Sequence, residues 1–459
     1  MFFERGQTIA VIGAGASGTI AAAHILRRAP AYVRVKLIDR GHHGPGVAYS
    51  TRDPRHLLNV RAYCMSAFED DPDDLLRWCR DRGIDADADD FLPRRLFGEY
   101  LRALLVRFGD RDRLELVTGM AAAVDPVPGS DGLRVELADG RELLVDAAVL
   151  ALGNPPPAPL PGIGPGAPYV PDPWAEDALA RAAHARRVVI VGSGLTAVDV
   201  ALSVSAMDPD TEVCAISRHG WLPRAHTRER TIPRPVQLPD DGRNGLPALV
   251  GTISAAASAD PGTWRELVDG LRPRTNELWQ QLSVDDRRLF LREMRSWWDV
   301  HRHRMAPDVA DEIGRLRAAG RLAVLAGTFD GAEARGPGVR VEIRDPAGRR
   351  RVDGDLLINA TGPASIMRDS SNPLVRRLLA RGHAVPDALG LGFACDRDGR
   401  LLSAGAMSSE RLFTLGPPRR GELLETGAIP EIRAQAELLS GVLLARGSGY
   451  RALARVLPG

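Results

Sequence analysis

Two glycine-rich segments constrain the fold of this chain more than any other feature. The first, Gly13–Gly18, reads GAGASG and follows the apolar run Thr8–Ile12; the second, Gly192–Ala197, reads GSGLTA and follows Arg187–Val191. In such a loop the first glycine makes a tight turn and the second lets the backbone approach a pyrophosphate. A third small residue lets the helix pack closely on the strand. Each copy has a strand pattern before it and a helical pattern after it, so the sequence predicts two dinucleotide-binding modules.

An ordered repeat of strand patterns supports this interpretation. After the first glycine loop come an alternating hairpin arm, Leu133–Leu137, and an apolar run, Val149–Leu152. After the second loop the same series recurs as Val339–Ile343 and Leu356–Ile358. Alternating arms are typical of a half-buried β-meander, and continuous apolar runs are typical of a parallel sheet covered on both faces. We therefore predict an α/β fold with two Rossmann-like, three-layer dinucleotide-binding domains, each with a β-meander, plus a helical insertion.

The repeat also predicts the domain boundaries. We expect a first domain whose first part is 1–165, a second domain at 166–352, and a segment at 353–459 that completes the first domain. The helical insertion interrupts the second domain at about 236–320, and Ser283 has the pattern of a helix N-cap within it. Four tryptophans of the insertion indicate either helix packing or an aromatic wall over a cofactor or substrate: Trp264, Trp279, Trp297 and Trp298.

The residues at two strand ends indicate which dinucleotide each module binds. Asp39 ends the strand after the first loop, where a carboxylate accepts hydrogen bonds from ribose hydroxyls and repels a 2′-phosphate. This favours FAD or NAD. Ser217 and Arg218 stand at the corresponding position of the second module, and a hydroxyl with a guanidinium suits a 2′-phosphate. This favours NADPH, although Arg218 as an ordinary solvated residue is the alternative.

Composition excludes several classes of function. Lys+Arg number 60 and Asp+Glu 59, so no general attraction to nucleic acid or to an anionic membrane is expected. The chain start lacks a signal-peptide pattern, and no stretch approaches the roughly 18 apolar residues of a membrane span, so we expect a cytoplasmic protein. Its four cysteines form no Cys-x-x-Cys pair, which argues against a dithiol reductase and a zinc site. No metal-binding pattern is present in the sequence. The sequence leaves open whether the protein forms a homo-oligomer.

Several further segments carry a family resemblance. They are 44–50 (GPGVAYS), 56–60 (HLLNV), 298–304 (WDVHRHR), 359–363 (NATGP), 415–417 (LGP) and 429–433 (IPEIR). These segments resemble two-dinucleotide flavoprotein monooxygenases, and most closely a bacterial FAD/NAD(P)-binding family with amino-acid N-hydroxylating members such as the aspartate N-monooxygenases. Pro363 stands where siderophore-type N-hydroxylases usually have Tyr, which disfavours ornithine or lysine as the substrate.

The resemblance implies an FAD-dependent, NADPH-using monooxygenase that N-hydroxylates a small, aspartate-like amino acid through a C4a-hydroperoxyflavin. Its partners would be O2 and a carboxylate-bearing amine. An NADPH-dependent flavin reductase or oxidase without substrate oxygenation is the main alternative, and a non-catalytic redox-sensing flavoprotein is a third. The residues expected to bind the cofactors are Gly13, Gly15, Ser17, Gly18, Asp39, Arg40, Tyr49, Met65, Gly192, Ser193, Gly194, Leu195, Thr196, Ser217, Arg218, Thr361, Gly362 and Gly416.

Catalytic and substrate residues follow from the same resemblance. His56, Asn59 and Arg61 are expected beside the flavin as catalytic residues, and His301, Arg302 and Arg304 are expected to hold the substrate. Uncompensated buried cations are costly, so a pocket that contains several arginines should receive an anion. The alternative is that the Arg/His run is a solvated helix end.

Overall fold

A computed structural model of the protein describes residues 6–41, 43–109, 112–238, 245–364, 367 and 370–454, with side chains described as far as residue 445. The strands are β1 (Gln7–Ile12), β2 (Val33–Asp39), β3 (Leu114–Thr118), β4 (Ala121–Pro126), β5 (Leu133–Leu137), β6 (Glu142–Val145), β7 (Ala147–Leu150), β8 (Tyr169–Val170), β9 (Arg187–Val191), β10 (Glu212–Ser217), β11 (Leu322–Ala326), β12 (Thr328–Arg335), β13 (Gly338–Asp345), β14 (Gly348–Gly354), β15 (Leu356–Asn359), β16 (Arg400–Leu402) and β17 (Ser408–Thr414).

The α-helices lie between these strands and after the last of them. They are α1 (Ala16–Arg28), α2 (Gly46–Tyr49), α3 (Asp74–Arg80), α4 (Arg94–Phe108), α5 (Leu195–Met207), α6 (Gly245–Ala259), α7 (Trp264–Leu271), α8 (Thr275–Gln281), α9 (Val284–Leu289), α10 (Arg295–Arg302), α11 (Pro307–Ala318), α12 (Pro373–Ala380) and α13 (Ile429–Ala454). A π-helical turn, Phe290–Met294, joins α9 to α10. No helix in these described ranges is both long enough and apolar enough to cross a membrane.

Two sheets of matching topology form the framework. The first has the order β16-β17-β7-β1-β2-β3 and the second the order β11-β10-β9-β15-β8. In each, the strand before the glycine loop pairs in parallel with the next strand of its module and with the apolar closing strand, β7 or β15. Three-stranded meanders, β4-β5-β6 and β12-β13-β14, follow the same plan. The predicted pair of Rossmann-like domains with β-meanders is therefore confirmed.

Each sheet is the middle layer of three. In the first domain, α1, α4 and α13 contribute apolar residues to the core on one face, and the meander with α12 covers the other. In the second domain, α5 and α11 lie on one face and the second meander on the other. Closing strands buried on both faces explain the continuous apolar runs of the sequence.

The structure changes one predicted boundary. Strand β15 pairs with β9 and β8 in the second sheet, so the second domain extends past residue 352, where the sequence predicted its end. The boundary moves because β15 pairs in parallel with β9 in the second sheet, just as β7 pairs with β1 in the first. Downstream, β16 and β17 join the first sheet, with β17 parallel to β7.

The helical insertion has a core of its own, formed by apolar residues of 236–298 around Trp279 and Trp298. Ser283 caps α9, because its side chain accepts a hydrogen bond from the Asp286 amide, as the sequence predicted. The indole Nε1 of Trp279 donates to the Gly421 carbonyl at 3.0 Å. The insertion thus packs on the 416–433 segment, which returns to the first domain.

Candidate functional site

The two glycine loops have nearly the same geometry. Gly15 caps α1 with φ −71° and ψ −168°, and Gly194 caps α5 with φ −78° and ψ −170°. Neither cap has a side chain, so the backbone N–H groups in the first turn of each helix have no side-chain partner at the cap. Such N–H groups and the helix dipole favour a phosphate. Both helices therefore present the start of an anion site at the carboxyl end of a parallel sheet.

Close backbone packing explains why the first residue of each loop is glycine. A Cβ on Gly13 would lie 2.3 Å from the Ala151 carbonyl oxygen, and one on Gly192 would lie 2.2 Å from the Ala360 carbonyl oxygen. Both glycines also have positive φ, +100° and +121°, which side chains rarely adopt. The closing strand of each domain thus fixes its own glycine loop.

The central glycines differ in their surroundings. A Cβ on Gly15 would lie 3.3 Å from the Gly46 Cα, whereas a Cβ on Gly194 would meet no atom within 4 Å. A Cβ on Gly18 would lie 1.8 Å from the Gly13 carbonyl oxygen, which is the close helix packing that the third position requires. The second loop is therefore open at its central glycine, whereas the 44–46 turn lies against the central glycine of the first loop.

Asp39 lies where a ribose-binding carboxylate is expected. Its Oδ2 accepts a hydrogen bond from the Ala14 amide of the glycine loop at 2.8 Å, and no hydrogen bond to Oδ1 occurs among the described residues. The next residue, Arg40, is exposed at the same end of β2. Oδ1 and the Arg40 guanidinium are therefore available to a nucleotide beside this loop.

Ser217 and Arg218 lie at the matching end of β10 but play different parts. The Ser217 hydroxyl accepts hydrogen bonds from the Ser193 hydroxyl at 2.7 Å and from the Gly220 amide at 3.1 Å. It therefore fixes the turn against the glycine loop. Arg218 is exposed, and its Nη2 donates to the Ser296 hydroxyl at 3.1 Å. Of the two residues, Arg218 is the one free to contact a 2′-phosphate.

A cavity of about 550 Å³ opens beside this turn. The 220–225 segment, α10 and α11 line it, with Trp221 and Trp297 both about two-fifths exposed. The Trp221 ring stacks on His219 with 4.5 Å between ring centroids. Arg224 and Arg317 also line the cavity and are exposed, and neither forms an ion pair with a described residue. The cavity offers flat aromatic surfaces together with positive charge.

The Ala-Thr-Gly run has a counterpart in the first domain. Gly362 and Gly153 both have positive φ, +85° and +66°, and a Cβ on either would meet nothing within 4 Å. Asn359 is fully buried and anchors this run, since its Nδ2 donates to the Ala158 carbonyl at 2.9 Å and its Oδ1 accepts from the Thr361 hydroxyl at 2.7 Å. Each turn follows the carboxyl end of its closing strand, with no other described protein atom within 4 Å of the Cβ position of its glycine.

Three other predicted cofactor residues surround the first loop. Gly416 has φ +74°, and a Cβ on it would lie 2.6 Å from the Ser17 hydroxyl, so the C-terminal segment reaches the start of α1. Tyr49 is half-buried, and its ring packs on Phe97 with 4.7 Å between centroids. Met65 is buried in the core of the first domain. Leu195 and Thr196, at the start of α5, are half-buried.

His56 lies between the domains. Its Nδ1 is 2.7 Å from the Thr51 hydroxyl, and its Nε2 is 2.9 Å from the Ser203 hydroxyl and 3.1 Å from the Asp199 carbonyl of α5. The side chain is 2% exposed, and this burial lowers the pKa of the imidazole. Both ring nitrogens have partners within the chain, so His56 joins the first domain to α5, and its expected catalytic role stays a prediction.

Arg61 is also occupied. Its Nη1 donates to the Asp89 carbonyl at 2.7 Å, and its Nη2 donates to carbonyls of the 227–229 segment at 2.9–3.0 Å. The guanidinium lies over the Phe91 ring, 4.9 Å from its centroid. Asp89 Oδ1 also lies 3.8 Å from Arg61 Nη1, so this guanidinium has partners within the chain, and its expected catalytic role stays a prediction. The nearby Asn59 side chain forms no hydrogen bond with the described residues, although its carbonyl accepts one from His226.

The predicted substrate cluster does not form a single site. Arg302 and Glu425 form a buried ion pair, while Arg304 pairs with Asp269. His301 instead stacks on Trp297, 4.3 Å between centroids, and faces the cavity. His301 and Arg302 are successive residues of α10 and point to different faces of the helix, and Arg304 lies beyond the helix end. The expectation that Arg302 and Arg304 are uncompensated cations was wrong, because each pairs with a carboxylate that is distant in sequence.

One half-buried arginine missed by the sequence analysis has no carboxylate partner. Arg420 Nη2 donates to the Asn154 side-chain oxygen at 2.8 Å, and no ion pair to Arg420 occurs among the described residues. Burial lowers the pKa of Arg420 to about 10, and the charge of Arg295 acts in the same direction. The one sequence signal for the contact between Arg420 and Asn154 was the position of Asn154 directly after the apolar run that forms the first closing strand.

Comparisons with known proteins agree with this geometry. Residues 10–155 match the family model described as FAD-NAD(P)-binding. A search of curated protein sequences found no match. Among solved structures, the chain is similar to the ornithine N-hydroxylase of Kutzneria sp. 744, at 19% identity and a TM-score of 0.66. The alignment covers 96% of this chain and 100% of that one.

Two further solved structures show the breadth of the fold. The L-lysine 6-monooxygenase of Pseudomonas syringae is 16% identical with a TM-score of 0.65, covering 96% of this chain and 99% of that one. The thioredoxin reductase of Lactococcus lactis is 10% identical with a TM-score of 0.55, covering 97% and 99%. Residues 10–155 therefore match the FAD-NAD(P)-binding family model, and the whole chain has the same fold as the ornithine N-hydroxylase and the L-lysine 6-monooxygenase.

Proposed function

We propose that this protein is an FAD-dependent, NADPH-using monooxygenase that N-hydroxylates the amine of a small, carboxylate-bearing amino acid, with aspartate the first candidate. The observation that carries the proposal is the pair of uncapped helix N-termini at Gly15 and Gly194, each held by its own closing strand. Two equivalent phosphate sites in one chain are expected where a hydride passes between two dinucleotides.

The first loop fits the ADP portion of FAD. The start of α1 would face the pyrophosphate, and the free Oδ1 of Asp39 would accept hydrogen bonds from the ribose. Gly416, which abuts Ser17, brings the C-terminal segment to the same place. When bound, FAD supplies hydride acceptance and activation of O2. The protein's part is to hold it and to shape the space around its reactive end.

The second loop fits NADPH. Gly194 leaves room for a pyrophosphate, and Arg218 stands where a 2′-phosphate would lie. We assign the adenosine end to the adjoining cavity, where Trp221 offers a ring face and Arg224 and Arg317 add positive charge. A guanidinium binds a phosphate through paired hydrogen bonds, so these arginines would favour NADPH over NADH.

The substrate would occupy the space bounded by the two closing strands and the insertion. The turns at Gly153 and Gly362 follow these strands, and the insertion packs on the 416–433 segment. Ligands of open α/β sheets bind beyond the carboxyl ends of the strands. The unbonded side chain of Asn59 is the remaining candidate for a direct contact among the three residues first expected to be catalytic.

The choice of reaction rests on two considerations. The ornithine N-hydroxylase and the lysine 6-monooxygenase of this fold act on amines of amino acids, which favours amine oxygenation here. Thioredoxin reductase shares the fold, but all four cysteines of this chain are free, and three of them are buried. A disulfide-reducing activity would need a reactive pair of thiols, so we disfavour it.

The test is a coupled assay on the purified protein. We expect about one bound FAD per chain, oxidation of NADPH faster than NADH, and an increase in NADPH oxidation when the correct amino acid is added. A hydroxylamine or a more oxidised nitrogen product should accumulate. If every amino acid tested leaves the NADPH rate unchanged and peroxide accounts for all O2 consumed, the enzyme is a reductase or oxidase.

A further inference from the structure

Three parts of the chain meet at Arg420. Its Nη2 donates to Asn154 Oδ1 at 2.8 Å, directly after the turn that ends the first closing strand. The preceding turn, Pro417–Arg419, starts at Gly416 beside α1. From the other side, Arg295 at the start of α10 lies close enough for its charge to act on Arg420. The guanidinium therefore lies where the first domain and the insertion face each other.

The charges around Arg420 do not balance. The charge of Asp299 acts on Arg420 against the effect of burial, but this carboxylate is hydrogen-bonded to Arg295, with its two oxygens 2.8 and 2.7 Å from Arg295 Nε. No described carboxylate lies within ion-pair distance of Arg420, whose one hydrogen-bond partner there is a neutral amide oxygen. The neighbouring His303 lies 3.7 Å from Asp299, and burial lowers the pKa of its imidazole, so it adds no charge at neutral pH.

Three arginines of the insertion contrast with this one, whereas the neighbouring Arg419 is buried and donates to the Asp396 and Arg397 carbonyls. Arg302 pairs with Glu425, Arg304 with Asp269, and Arg272 with Glu431 at 2.9 Å. A half-buried guanidinium without a counterion is costly unless an anion joins it. Asn154 orients the group, and the fork of remaining N–H donors matches the geometry of a carboxylate. The site thus has an oriented cation whose charge no described carboxylate pairs within ion-pair distance.

We infer that Arg420, oriented by Asn154, recognises a carboxylate of the amine substrate. This inference rests on the proposed function and deepens it by naming the group that selects an acidic or zwitterionic amine over a simple one. It also replaces Arg302 and Arg304, whose charges are already paired. The cofactor phosphates have the two helix N-termini as partners, which favours the substrate as the source of the anion.

The direct test measures binding and does not need turnover. FAD-loaded protein with NADP⁺ present is titrated in a calorimeter with aspartate, with alanine, which lacks the side-chain carboxylate, and with β-alanine, which lacks the α-carboxylate. We expect aspartate to bind more tightly than at least one of the others. Arg420→Gln should weaken aspartate binding by about 10- to 100-fold, the range for a charged hydrogen-bonded contact, and should remove that preference. Asn154→Ala should weaken it less.

Controls separate this result from misfolding and from a cofactor role. Arg292→Gln removes an exposed guanidinium of the same region, paired with Glu293, and should change nothing. FAD content and NADP⁺ affinity should be unchanged in Arg420→Gln. Unchanged aspartate binding in that variant, absence of aspartate binding to the wild type, or loss of NADP⁺ affinity alone would each overturn the inference. If aspartate binds as expected but no amine is oxygenated, the proposed function fails and the recognition site stands.

Discussion

Arg302 and Glu425 form an ion pair buried between the helical insertion and the C-terminal segment, with 3.0 Å between Arg302 Nε and Glu425 Oε1. Each side chain is less than a tenth exposed. Burial alone would raise the pKa of Glu425, but the charges of Arg302 and of the neighbouring cations together outweigh it and hold that pKa below its usual value. Asn276 fixes the backbone of Glu425 through two hydrogen bonds, at 2.7 and 2.8 Å. The pair is therefore part of the joint between these two segments.

Removing one member of this pair should destabilise the protein. Arg302→Met leaves the Glu425 carboxylate buried and unpaired, which typically costs about 3–5 kcal/mol. We expect a clear drop in Tm by calorimetry, and partial recovery in the double variant Arg302→Met with Glu425→Leu. Arg228→Ala, which breaks an exposed pair with Asp308, is the matched control and should leave Tm nearly unchanged. A stable Arg302→Met protein with weakened substrate binding would restore Arg302 to a substrate role.

Gly194→Val should selectively impair NADPH binding. A side chain there meets no protein atom within 4 Å and φ is −78°, so folding should tolerate it, while the added methyl groups occupy the pyrophosphate position. We expect KM for NADPH to rise at least about tenfold, the effect of roughly 1.4 kcal/mol, with FAD content and Tm unchanged.

Two glycine variants serve as references for this prediction. Gly15→Val changes the corresponding glycine of the first loop, where a Cβ would also lie 3.3 Å from the Gly46 Cα, and should reduce FAD content. Gly192→Ala places a Cβ 2.2 Å from the Ala360 carbonyl oxygen and should lower Tm. If Gly194→Val binds NADPH normally, or if Gly15→Val retains full FAD, the assignment of the nucleotides to these loops is incorrect.

Arg218→Ala should reduce the preference for NADPH. Its guanidinium is exposed at the end of β10 and contacts only the Ser296 hydroxyl in the described structure, so its loss should not disturb the fold. KM for NADPH should rise several-fold while KM for NADH stays nearly constant, since only the 2′-phosphate contact is removed. Steady-state kinetics with both coenzymes checks this, and equal effects on the two would exclude Arg218 from this role.

Stability should fall as the pH drops below about 6.5. Burial lowers the pKa of His226 from 6.5 to about 3, and the charge of Arg304 acts in the same direction. Between these two values the unfolded chain binds a proton that the folded chain does not, so stability is complete above pH 6.5 and is lost as pH falls. His226→Gln should flatten the dependence of Tm on pH, whereas His184→Gln, at an exposed position, should not. An unchanged pH profile in His226→Gln would contradict this origin.

The framework was accessible from the sequence because its signals are local. Gly13 and Gly192 lie in strand-loop-helix segments whose pattern is complete within a short stretch, and the meander strands alternate regularly. The boundary at 352 was misplaced because β15 belongs to a sheet whose other strands lie far away in sequence. Pairing between strands that are distant in sequence produces no recognisable pattern in the residues next to the boundary.

The charged residues of the site were harder to predict, for a physical reason. The charge of a buried arginine is available to a ligand only if no carboxylate of the protein pairs with it. The partners of Arg302 and Arg304 lie in other segments, at Glu425 and Asp269. The same holds for Arg61, which donates to main-chain carbonyls of the 227–229 segment and lies 3.8 Å from the Asp89 carboxylate. Arg420 escaped notice because its position matters only through Asn154 and the insertion, which are distant in sequence.

The central claim is that the protein transfers one oxygen atom from O2 to the nitrogen of an amine, with NADPH as the reductant. The most direct measurement is turnover under ¹⁸O2 with NADPH and a panel of small amino acids headed by aspartate, followed by mass spectrometry of the products and quantification of peroxide. The account predicts ¹⁸O bonded to nitrogen in the product of at least one amino acid, with a matching decrease in peroxide. Recovery of all consumed O2 as peroxide with every amino acid would contradict it.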